Sequence, residues 1–191
     1  MTRQGGGVCI YIHQDLSYNE RIDLNHDDLA ATWIELLLPK TKPIICASIY
    51  RPPNQTNFYS ILDSVCASSN QFHEFETILL GDCNTNVLGN NTCSLFKSLK
   101  SFMYMFNFNQ MISEYTLVCT SSSTVIDLIL VSDLSKISQS GVVSTCFSDH
   151  FLIIVNRKLS KTVIGSLYSV NILSLKNYSK DSFVACLLSK D

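Results

Sequence analysis

Thr77-Ile78-Leu79-Leu80-Gly81-Asp82-Cys83-Asn84 is the stretch from which the rest of the chain is read. An apolar strand-like run ends in Gly-Asp-x-Asn, which delivers a carboxylate and an amide, two residues apart, to the exit of a strand, where side chains can share a cleft. An Asp there can orient or deprotonate a water, and the Asn amide can hold that water or a phosphate oxygen. Taken alone, the segment also reads as a turn in which Asp82 and Asn84 bond their own backbone.

Similar runs lie on both sides of it. Val8 to Ile12, Ala31 to Leu38, Ile44 to Tyr50, Val125 to Val131, Val142 to Cys146 and Phe151 to Val155 are apolar, rich in β-branched residues and bounded by turn formers, so they read as strands, as does Thr77 to Leu80. Most are continuous rather than alternating, which predicts burial on both faces. Two helices interrupt them. Phe58, Ile61, Leu62 and Val65 fall on one helical face after the Pro52-Pro53 break, with Asn54 or Thr56 as candidate caps. Leu95, Phe96, Leu99, Met103 and Phe106 repeat the pattern after Thr92. Strands and helices intermixed in this way predict an α/β sandwich, with helices packed outside layered sheets. From about Lys161 neither period holds and the chain reads as a linker, with a helix starting near Asp181.

Three further segments can carry chemistry. In Ser148-Asp149-His150, between two apolar runs, the His can act as a cationic electrophile near a phosphate, or the Asp as an oxygen ligand for a hard divalent ion. Asp127 interrupts the apolar run Thr124 to Leu130. Buried there it needs a partner, and His150 is the obvious one; on an edge strand it would face solvent instead. Tyr50 closes a strand just before Arg51-Pro52-Pro53, where a phenol can bond a phosphate or simply rim the core.

The chain has 191 residues, 46% hydrophobic and 16% charged, enough for one globular domain and too apolar for a disordered one. Its longest apolar runs, Trp33 to Leu38 and Phe151 to Val155, fall well short of the roughly 20 residues that span a bilayer. Net charge is -2; from Asn156 onward six basic residues outnumber two acidic ones, so the body is acidic and suits a cation site better than a broad phosphate-binding face. The eight cysteines stand singly at 9, 46, 66, 83, 93, 119, 146 and 186, without metal-ligand spacing, and the N-terminus has no signal-peptide core. We read them as reduced thiols of a nuclear or cytoplasmic protein, not a secreted one.

Taken in order, Gly5-Gly6-Gly7-Val8, Trp33-Ile34-Glu35, Tyr50-Arg51-Pro52-Pro53, Gly81-Asp82-Cys83-Asn84, Ile126-Asp127 and Ser148-Asp149-His150 resemble the endonuclease/exonuclease/phosphatase superfamily. More narrowly, they resemble the apurinic-type endonuclease domain that precedes the reverse transcriptase in non-LTR retrotransposons. The resemblance implies a deoxyribonuclease-like four-layer αββα sandwich over residues 1–158 and a linker at 159–191 leading toward a reverse transcriptase domain. It implies nicking of DNA with Mg²⁺ or Mn²⁺, with no membrane partner and no small-molecule cofactor. Asp82 would activate water, Asn84 would orient it and the phosphate, His150 held by Asp127 would stabilise transition-state charge, Tyr50 would contact the phosphate, and Asp149 would bind the metal. Cys83 stands where the family usually has Phe. The family's first strand, with its Asn, and the next strand and helix, with the main metal-binding Glu, precede the Gly-rich segment and have no counterpart here; Glu20 and Glu35 follow it and do not replace them. The sandwich is therefore expected to lack its first strand and helix, and the site to be impaired: little or no nicking is expected of these 191 residues alone, and an inert binding remnant or a phosphomonoesterase stand as alternatives.

Overall fold

Residues 7–69, 72–89, 92–119, 122–146 and 148–159 are described by the computed structural model and belong to one compact unit. Ten strands and two helices occur among them: β1 (Ser17–Glu20), β2 (Ala30–Leu37), β3 (Ile44–Tyr50), α1 (Phe58–Ser68), β4 (Glu76–Asp82), α2 (Ser94–Met105), β5 (Asn109–Gln110), β6 (Leu117–Val118), β7 (Ser123–Thr124), β8 (Asp127–Val131), β9 (Ile137–Val143) and β10 (Leu152–Arg157). Six strands form one mixed sheet in the order β1-β2-β3-β4-β8-β5, and β9–β10 and β6–β7 form two small antiparallel sheets. The expected α/β class holds. The expected linker and the helix near Asp181 lie outside the described residues.

The parallel pair β3–β4 is joined through α1, the crossover that parallel neighbours require. Because side chains alternate along a strand, the pairing sorts the sheet into two faces. Trp33, Ala47, Leu79, Leu128 and Leu130 point toward the helices, where Trp33 meets Phe72 edge-on and Phe72, Phe106 and Phe102 continue the aromatic chain to Tyr59 of α1. Phe58, Leu62, Leu79, Leu99 and Ile129 are completely buried, each worth about 1.5–3 kcal/mol of apolar transfer. Ile44, Ile78, Ile129 and Val131 take the other face, together with Tyr50, Asp82 and Asp127. The β9–β10 hairpin packs Val142, Ile153 and Val155 against the core, and Arg157 of β10 holds Glu76 of β4 through two hydrogen bonds of 2.7 and 2.6 Å.

Several expectations need correction. Residues 8–12 form no strand; they run beside β2, where the Thr32 hydroxyl donates to the Val8 carbonyl, and with no neighbour of their own to complete a ladder an apolar run is not enough. The strand expected at Val142 to Cys146 runs instead from Ile137 to Val143, because its register is set by pairing with β10. Burial on both faces holds for β3, β4 and β8 but not for β9 and β10: Val143, Leu152 and Ile154 are exposed on the hairpin's outer face. The cap of α1 is Asn57, not Asn54 or Thr56, and that of α2 is Cys93, whose sulfur accepts from the Phe96 N–H at 3.4 Å.

Gly81 fixes where β4 delivers its last residue. Its φ is +145°, and a Cβ there would lie 1.9 Å from the Ile49 carbonyl oxygen, so β3 and β4 approach as they do only because position 81 lacks a side chain. Gly81→Ala is expected to cost more than about 2 kcal/mol, lowering the melting temperature by roughly 4 °C or more. A thermal unfolding curve unchanged by that substitution would refute the account.

Candidate active site

Tyr50, Asp82 and Asp127 are register partners at the ends of three adjacent strands, so they stand in one row on one face. His150 closes the row: its Nδ1 lies 3.1 and 2.9 Å from the two Asp127 carboxylate oxygens. Two carboxylates directly opposite each other repel, and the sheet offsets this with the imidazole on one and amide donors on the other. The Asn84 N–H donates to Asp82 Oδ1 at 2.8 Å, and Asn84 Nδ2 donates to Asp82 Oδ2 at 3.0 Å and to the Arg51 carbonyl at 2.9 Å. Both hydrogens of the Asn84 amide are thus engaged, and the residue holds Asp82 rather than presenting free donors to a ligand. Its φ of +45° folds the chain back under Asp82, a conformation Asn tolerates better than most residues.

The remaining expected residue stands apart. Asp149 is exposed with its carboxylate on the Ser148 hydroxyl at 3.2 Å. The group among the described residues that could hold a metal is Asp82, Asp127 and His150, whose ligand atoms lie within 4.8 Å of one another. Glu35 belongs to β2 on the face opposite Asp82, and Glu20 is exposed on β1; neither joins the row. Cys83 is completely buried, and burial pushes its thiol up to about 12, so it serves as packing.

Two residues of the site escaped sequence reasoning. Arg51, only 2% exposed, donates to the carbonyls of Cys83, Pro52, Pro53, Gln55 and Asn84. Thr116, fully buried, accepts at its hydroxyl from the N–H groups of Ile126 and Asp127, while its carbonyl accepts from the Phe151 N–H at 2.7 Å. It therefore ties the start of β8 to the segment carrying His150. A charged residue directly before Pro52-Pro53 was the available signal for Arg51; Thr116, in an ordinary polar loop, offered none.

Burial raises the Asp82 carboxyl above its ordinary range, the Asn84 N–H pulls it down by less, and the Asp127 charge raises it further. A raised carboxyl stabilises the fold fully below its unfolded value near 4, and that contribution is lost as pH rises through the folded value. Asp82→Asn cannot ionise, so its stability relative to the parent is expected to improve between about pH 4 and pH 7. Chemical denaturation at both pH values, in chelator, measures this. A difference that is flat or runs the other way would contradict the burial argument.

Comparison with known proteins gives the same picture. Residues 44–154 match the family described as endonuclease-reverse transcriptase. Among solved structures, the endonuclease domain of TRAS1, a telomere-specific non-LTR retrotransposon, superposes with a TM-score of 0.66 at 15% identity, over 77% of this chain and 69% of that one. An endonuclease/exonuclease/phosphatase family protein from Leptotrichia buccalis gives 0.53 at 19% identity, covering 68% of this chain and 53% of its own. One from Bacteroides vulgatus gives 0.51 at 12%, covering 77% and 66%. At these identities the likeness is one of fold. No curated protein sequence matches the chain.

Proposed function

The chain belongs to the endonuclease-reverse transcriptase family, and from that premise we propose that it is the endonuclease part of a retrotransposon-type polyprotein, hydrolysing a DNA phosphodiester with a divalent cation. The observation that carries this reading is the row Tyr50, Asp82, Asp127 closed by His150. Phosphodiester hydrolysis needs a base for water and fixed positive or donor groups where charge develops on the phosphate. Asp82, its carboxyl raised by burial and steadied by Asn84, takes the water proton. The Asp127 carboxylate accepts the Nδ1 proton of His150, which leaves Nε2 as the ring nitrogen directed to chemistry and stabilises the cationic ring as the phosphate gains charge. Tyr50, beside Asp82 in register, offers its phenol to a non-bridging phosphate oxygen.

The donor set suits a divalent ion. Asp82 and Asp127 offer the hard oxygens that Mg²⁺ and Mn²⁺ take, while the cationic ring of His150 serves the phosphate and not the ion. A bound ion supplies Lewis-acid stabilisation of the phosphate oxygens. DNA as partner, a reverse transcriptase beyond the linker at 159–191, and a nuclear or cytoplasmic location complete the proposal. No helix among the described residues is long and apolar enough to cross a membrane.

Conversion of supercoiled plasmid to open circles, with Mg²⁺ or Mn²⁺ and with chelator, tests the reading. Nicking is expected to require the ion and to fall by about 100-fold or more in Asp82→Ala and in His150→Ala. Nicking that survives His150→Ala would remove this site from the reaction. DNA binding without nicking at any ion concentration would make the chain a binding remnant.

A further inference from the structure

At the end of the sheet away from Asp82 lies a cleft of about 890 Å³, where β3 and β4 begin and β8 and β10 end. Asp82 lies six steps along β4 from Glu76 in the cleft, about 20 Å at ~3.3 Å per residue, so the two places do not share a ligand group. Five cationic side chains line it: Lys40 and Lys42 from the turn after β2, Lys136 just before β9, and Arg157 and Lys158 at the end of β10. Three carboxylates also line it. Glu76 is held by Arg157 through both oxygens, while Asp133 and Glu74 keep their charges. Lys40, Lys42, Lys136 and Lys158 are exposed, and against Asp133 and Glu74 they leave the cleft cationic.

We propose that this cleft binds the phosphodiester backbone of a single nucleic-acid strand, separately from the strand at the Asp82 site. Repeated phosphates along a strand can meet several of these lysines in turn along the cleft, and backbone contacts made by lysine carry no sequence requirement. The inference stands apart from the cleavage reading, since a strand can be held here whether or not the far end cuts.

The test uses the whole chain in chelator, so that no cleavage intervenes, with a labelled 12-nucleotide single strand followed by fluorescence anisotropy across a salt series. Lys40→Glu/Lys42→Glu/Lys136→Glu is expected to weaken binding by more than about 10-fold and to flatten the log–log salt dependence by about 2, as loss of three phosphate contacts requires. Lys97→Glu/Lys100→Glu on α2 serves as a charge control and is expected to bind like the parent. Should the triple variant not fold, Lys40→Gln/Lys42→Gln on the exposed turn tests the same point, with an expected fall in slope of about 1. Parent-like binding by the charge variants, or an equal loss in the α2 control, overturns the proposal. Inorganic phosphate provides the second arm: saturation at micromolar phosphate that those substitutions remove, with strand binding untouched, would assign the cleft to a small phosphorylated ligand and overturn it as well.

Discussion

The buried guanidinium of Arg51 is the contact on which the Asp82 end of the sheet depends. Two prolines follow it, and neither has an N–H with which to close the turn that leads into α1. Arg51 supplies the missing donors: one nitrogen serves the carbonyls of Pro52, Pro53 and Gln55, and the others those of Cys83 and Asn84. The loops after β3 and after β4 are thereby fastened to one rigid planar group. The main chain repeats the link, with the Arg51 N–H on the Asp82 carbonyl at 2.9 Å and the Asn84 amide on the Arg51 carbonyl. Losing the guanidinium would take a donor from all five carbonyls, and although those of Pro52 and Cys83 keep a second one, in the Gln55 N–H and the Thr85 hydroxyl, the two loops would lose their common anchor, so Arg51 fixes where Asp82 and Asn84 can be.

The packing beneath explains why the row can be held so tightly. Gly81 lets β4 approach the Ile49 carbonyl, and the fully buried Cys83 seals the space under Asp82 while its carbonyl receives Arg51 Nε and the Thr85 hydroxyl. Thr85 in turn accepts from the Tyr59 hydroxyl of α1 at 2.9 Å, and Tyr59 belongs to the aromatic chain over the helix-facing side of the sheet. The polar network and the apolar core are thus continuous. Such a network carries free energy only when every member is satisfied, and here the cost of setting Asp82 opposite Asp127 is met by neighbours that are themselves fully bonded.

The sequence made the central strands legible because their signal is local. Ile44 to Tyr50 coincides with β3, and the helical faces at Phe58 and Leu95 mark α1 and α2, since continuous apolar runs and a 3.6-residue period need no knowledge of partners. Asp82, Asn84, Asp127 and His150 were legible as polar residues set into apolar strands or at their ends, where burial demands a reason. What was not legible depends on pairing. β1 is exposed along its length and exists because β2 offers a ladder, so Ser17–Glu20 carries no apolar pattern to read. The two-residue strands β5, β6 and β7 are too short for any period. The engagement of the Asn84 amide follows from a positive φ and from Arg51, 33 residues away in the chain, neither of which is written in the motif itself.

The two halves of the site are held in different ways, and this bears on how substitutions in it should be read. Asp82 and Asn84 leave a central strand and are fixed by Gly81 and Arg51, so their positions belong to the sheet. His150 comes from a loop held, among the described residues, by an isolated bridge to Leu117, the Val118 N–H on the Asp149 carbonyl at 3.1 Å, the Phe151 N–H on the Thr116 carbonyl at 2.7 Å, the His150 N–H on the Ser148 hydroxyl at 3.1 Å, the Thr145 hydroxyl on the His150 carbonyl at 3.2 Å, and the ring on Asp127. Asp127 therefore has two jobs, setting the tautomer of His150 and anchoring the segment that carries it, while Thr116 holds both sides of that contact through backbone groups. Loss of Asp127 removes a charge from the row and also loosens the imidazole, so its effect on chemistry cannot be divided into an electrostatic and a positioning part by that substitution alone. Thr116 separates them, because changing its hydroxyl disturbs the position of Asp127 relative to His150 and removes no charge from the site.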